Sequence, residues 1–142
     1  MVQVVVDSSV VIKWFVGEPY SAEAGPILTQ YQNGGLSLLA PDLIYAELGN
    51  IIWKKHLFQG LAQADGQLIL DAFRQLTLHI TPSSDLLIQA YSLATTHKRS
   101  VYDSLYLALS LREQCRLVTA DEKLVNALSG SFAGIIWVAD WT

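Results

Sequence analysis

Five short apolar runs constrain this chain more than any other feature: VQVVV at 2–6, LSLLA at 36–40, LHI at 78–80, RLVT at 116–119 and GIIWV at 134–138. Each is strand-length and, in most cases, rich in β-branched residues, the pattern of a strand buried on both faces. The stretches between them have helical spacing. They predict helices over 9–15, 21–32, 41–58, 62–75, from Ser83 or Ser84 to 97, 102–114 and 121–128. Pro41 is expected to open the third of these, because a first helical position has no use for the N–H that proline lacks. The segment 102–114 is apolar nearly all round and is expected to lie centrally. Strands alternating with helices define an α/β protein, a three-layer α/β/α sandwich on a mainly parallel sheet. With 142 residues the chain is expected to form one domain, 1–142.

Composition narrows the setting. Hydrophobic residues make up 51% and charged residues 15%, so disordered and fibrous classes are excluded. The apolar surplus suggests that part of the outside is a protein interface. A single cysteine, Cys115, permits no internal disulfide. No signal peptide or membrane-spanning stretch is evident, so a reducing, cytoplasmic location without membrane contact is expected.

Acids stand at positions where a core has no use for them. Asp7 ends the first run, and Asp121 follows the fourth after Thr119-Ala120. Asp103 begins the apolar segment Asp103-Ser104-Leu105-Tyr106-Leu107-Ala108, and Glu47 has Leu43, Ile44 and Ile51 at helical spacing, so it should point inward. Singly, the aspartates read as helix caps. In a parallel sheet, however, ligands bind beyond the carboxyl ends of the strands, and there all four can converge.

Convergent carboxylates repel one another and call for a cation. Their hard oxygen donors suit Mg²⁺ or Mn²⁺, one or two ions per site, completed by water or a phosphate. The scattered His56, His79 and His97 have no zinc-ligand spacing. Carboxylate-bound ions of this kind serve phosphodiester hydrolysis. Ser8, Ser9 and Thr119 are the hydroxyls nearest in sequence, placed either to orient water or phosphate or to start helices.

The ordered set of Asp7-Ser8-Ser9, Ala46-Glu47-Leu48-Gly49-Asn50, Asp103-Ser104-Leu105-Tyr106-Leu107-Ala108 and Thr119-Ala120-Asp121 resembles the PIN-domain ribonucleases, and within them the VapC-type toxins of toxin–antitoxin modules. The resemblance covers nearly the whole chain. It implies a metal-dependent endoribonuclease with Asp7, Glu47, Asp103 and Asp121 as acidic metal ligands and catalytic residues. Ser9 and Thr119 fall at its accessory hydroxyl positions, and Asn50 is placed as a partner of Glu47. It further implies a homodimer, or a toxin–antitoxin hetero-oligomer in which the antitoxin lies along an apolar groove. Trp14, Phe15 and Trp53 are candidates to line that groove, with core packing as their alternative.

The net charge of −4 sits awkwardly with an RNA substrate, whose binding draws on phosphate neutralisation. Two local basic clusters survive, Lys54-Lys55-His56 and His97-Lys98-Arg99; Lys54, Lys55, Lys98 and Arg99 are the expected RNA contacts, with solvated helix ends as the alternative. The alternative from another class is a PIN-like protein that binds or scaffolds without cutting. A dinucleotide-binding fold is disfavoured because no Gly-x-Gly-x-x-Gly follows the first strand.

Overall fold

A computed structural model describes residues 2–142. Its strands are β1 (Val2–Val6), β2 (Leu36–Pro41), β3 (Leu78–Thr81), β4 (Arg116–Thr119) and β5 (Ile135–Trp137). Its α-helices are α1 (Ser8–Val11), α2 (Ser21–Gln32), α3 (Leu43–Gln59), α4 (Gln63–Arg74), α5 (Ser83–His97), α6 (Val101–Glu113) and α7 (Glu122–Leu128). The strands form one sheet in the order β3-β2-β1-β4-β5, and every pairing is parallel. The expected α/β sandwich is what the chain adopts, with a sheet that is wholly parallel.

The order explains where a site can form. From β1 the chain steps outward to β2 and β3, then returns to place β4 on the other side of β1. Parallel crossovers are right-handed, so this reversal sends the connecting helices to opposite faces and opens a crevice between the carboxyl ends of β1 and β4. Val4, Val5 and Val6 of β1 and Leu117 and Val118 of β4 are completely buried, as the doubly covered runs required. In α6 every residue from Ser104 to Ser110 is buried, so this helix is central as its composition predicted.

Three boundaries differ from the sequence reading. Pro41 does not open a helix: it ends β2 opposite Thr81, and proline is tolerated there because no further ladder bond is asked of it. Asp42 takes the cap position of α3 instead. Ser83 is the first residue of α5 and not its cap. Its amide and hydroxyl both donate to the carboxylate of Asp42, so an acid from another segment meets the open helix start. The first helix is also shorter than expected, since α1 tightens after Val11 into a 3₁₀ turn over Ile12–Trp14.

Candidate active site

The first carboxylate is fixed by the fold itself. Asp7 leaves the end of β1 in extended conformation and caps α1, accepting from the Val10 amide at 3.3 Å. Its Oδ1 also accepts from Ser9 Oγ at 2.5 Å and its Oδ2 from Thr119 Oγ1 at 2.5 Å. Both hydroxyls are held from behind. The Ala120 amide donates to Ser9 Oγ at 2.9 Å, and the Asp121 amide donates to Thr119 Oγ1 at 3.0 Å. A backbone N–H therefore aligns each hydroxyl before that hydroxyl meets Asp7, and the two relays join the end of β4 to the end of β1.

Glu47 enters from α3. As its apolar neighbours predicted, it points inward: its Oε1 accepts from Ser8 Oγ at 3.2 Å and from Tyr106 Oη at 2.5 Å. Asn50, expected beside it, is exposed on the same helix and takes no part in these bonds. Tyr106, only 3% exposed, escaped the sequence reading because an aromatic in an apolar helix reads as core. The one available signal was its spacing, three residues after Asp103 and so on the same side of α6.

Asp103 lies in the first turn of α6, where the Ser100 side chain accepts from its amide at 3.0 Å. Arg99 reaches its carboxylate at 3.4 Å. Asp121 caps α7 by accepting from the Leu124 amide at 3.2 Å. Of the four basic residues expected to meet RNA, the structure brings Arg99 to the acids. Lys55 is paired with Glu18 at 3.4 Å, while Lys54 and Lys98 are exposed.

The four acids form an electrostatic series. Burial pushes the Asp7 carboxyl up to about 6; its hydrogen bonds oppose the rise and the charge of Glu47 adds to it. Glu47 is likewise raised, chiefly by burial and further by Asp103. Asp103 is raised by burial and by Asp121, against the pull of Arg99. Burial penalises the charged form and each like charge adds to that penalty, so the site is short of positive charge. Among the described residues, no three His, Cys, Asp or Glu side chains are gathered into a cage for an ion. The all-oxygen donor set instead fits an ion such as Mg²⁺, which takes one or two carboxylates directly and keeps water in the rest of its shell.

A parallel sheet with acids at the carboxyl ends of its central strands, coupled through Ser and Thr hydroxyls, is the architecture of the PIN domain, and the PIN-domain description matches residues 4–127. The chain belongs to this family. It is 30% identical over 129 residues to Ribonuclease VapC3 of Pyrobaculum aerophilum, covering 87% of this chain and 93% of that protein. It is 30% identical to Ribonuclease VapC1 of Mycobacterium tuberculosis, covering 89% and 92%. In fold it is similar to a toxin–antitoxin complex from Klebsiella pneumoniae, with a TM-score of 0.65 and 16% identity over 97% of this chain and 99% of the other.

Proposed function

We propose that this protein is a divalent-metal-dependent endoribonuclease, the toxin of a toxin–antitoxin pair. The observation that carries the reading is the series Asp7–Glu47–Asp103–Asp121, with Asp7 buried and the other three half-buried, in which each acid feels the charge of the next. Two relatives that match nearly the full chain are named ribonucleases, which supports the same chemistry here.

In this reading Asp7, Glu47, Asp103 and Asp121 form the acidic wall for Mg²⁺ or Mn²⁺, one or two of them meeting the ion directly and the others through its bound water. When bound, the ion supplies an activated water and charge neutralisation at the phosphodiester. The chain's own residues do the rest. Ser9 and Thr119 keep Asp7 fixed, and Lys98 and Lys54 offer exposed charge to flanking phosphates. Arg99 offsets the repulsion at the entrance, which lets an acidic protein accept an anionic substrate.

A cognate antitoxin is the proposed partner, supported by the toxin–antitoxin complex among the structural relatives. Its place is the cavity between α3 and α4, about 440 Å³, lined by Ile52, Trp53, His56 and Leu70 among others. Trp53 is exposed there. Trp14 and Phe15, by contrast, pack against the core. The exposed Leu87, Ile88 and Tyr91 of α5 suit a homodimer contact. Among the described residues no helix is long and apolar enough to cross a membrane, and we read 1–142 as a single domain working in the cytoplasm.

The test is cleavage of an RNA panel by purified, antitoxin-free protein with Mn²⁺ or with EDTA. Cleavage should require the metal and should fall to the EDTA background in Asp7→Asn. Equal cleavage with and without EDTA would remove the metal mechanism. An inactive wild-type protein that binds no Mn²⁺ would favour the scaffold reading.

A further inference from the structure

We infer that Tyr106, with Ser8, is a positioning residue for Glu47: the two hydroxyls hold one carboxylate oxygen so that the other is presented to the acidic site. This rests on the metal-dependent reading above and deepens it.

Three observations carry the inference. Tyr106 Oη and Ser8 Oγ meet the same atom, Glu47 Oε1, at 2.5 Å and 3.2 Å. Neither bond uses Oε2, so the carboxylate has one occupied oxygen and one left for the site. The donors also come from rigid places. Tyr106 is 3% exposed, in the middle of the buried stretch of α6, and Ser8 is buried at the start of α1, directly after β1.

Glu47 needs such support more than Asp7 does. Asp7 is held by a strand end, a helix start and three donors. Glu47 hangs from mid-helix on a side chain with one more rotatable bond, and only bonds to other elements can fix its carboxylate. Tyr106 and Asp103 stand three residues apart on α6, so the helix that presents one acid also fixes the other. Supporting groups of this kind typically change metal affinity about 10–100-fold. A phenol suits the task because it donates one strong bond from a ring whose body is locked in the core.

The experiment is Mn²⁺ titration by calorimetry of wild type, Tyr106→Phe, Ser8→Ala, Glu47→Gln and the double variant Tyr106→Phe/Glu47→Gln, with thermal melting and cleavage kinetics on each. Tyr106→Phe keeps the buried ring and removes only the donor. We expect it to melt as a folded protein, to bind Mn²⁺ about tenfold more weakly, and to lose kcat with little change in KM for RNA. Ser8→Ala should show the smaller loss, its bond being longer. In the Glu47→Gln background Tyr106→Phe should cost no further affinity, because a residue that acts through another is silent once that other is altered.

Unchanged Mn²⁺ affinity in Tyr106→Phe, or losses that add in the double variant, would overturn the inference while leaving the nuclease reading intact. A wild-type chain that binds no Mn²⁺ would overturn the metal reading and this inference together.

Discussion

Asp7 occupies an environment that favours its neutral form, and stability must register this. Its folded pKa of about 6 lies above the unfolded value of about 3.9. Between those values the native chain binds more protons than the unfolded one. The contribution is therefore fully present below about pH 4 and is lost as pH rises through about 6, at a cost on the order of 3 kcal/mol. The Tm of EDTA-treated protein should fall more steeply from pH 4.5 to 7.5 in wild type than in Asp7→Asn. Parallel slopes would mean that the burial of Asp7 is not felt. Thr119 is fully buried between Asp7 and the Asp121 amide. Thr119→Val, which removes the bond to Asp7 Oδ2 and the acceptor of the Asp121 amide, should destabilise by about 1–3 kcal/mol in urea unfolding. At this scale the sequence was readable wherever an acid ended a strand, because the parallel-sheet rule says where such a residue must go. Glu47 was readable too, from its apolar neighbours. Its partners were not. Ser8 and Tyr106 lie 39 and 59 residues away, and only the docking of α1, α3 and α6 shows that they share one oxygen with Glu47. Asn50 was misplaced for the same reason, since spacing along one helix says nothing about donors arriving from others.

At the level of elements, the short apolar runs placed all five strands within a residue or so, while ends set by long-range bonds were harder to read. Asp42 and Ser83 satisfy each other across 41 residues, and no local pattern announces that pairing. A glycine at a helix end is a local signal by contrast: Gly60 closes α3 with φ 74°, where a left-handed residue favours glycine. Gln114 closes α6 in the same region with φ 53° although it carries a side chain, which disfavours that conformation by roughly 1–2 kcal/mol. Gln114→Gly should therefore raise stability by about 0.5–1 kcal/mol, less than the full strain because glycine also gains freedom in the unfolded chain. Chemical denaturation checks this directly. Gln114 lies two residues before β4, at the amino end of that strand and so away from the strand ends that carry the acids, and cleavage should be unchanged.

For the molecule as a whole, a net charge of −4 means that the proposed RNA binding depends on a few local cations. Lys98→Ala should weaken RNA binding about equally across sequences and reduce the slope of log affinity against log salt by about 1. An unchanged slope would remove Lys98 from the contact surface. The strand order has a consequence for the timing of synthesis. The chain adds β4 to the open side of β1 only after α6 has been made, and Thr119 reaches Asp7 across 112 residues. A ribosome-bound chain that has not released Arg116–Asp121 lacks the strand on that side of β1, the Thr119 hydroxyl that meets Asp7, and the amides that align Ser9 and Thr119. In the proposed nuclease, the first acid is therefore not fixed until the segment Arg116–Asp121 is free to fold onto β1.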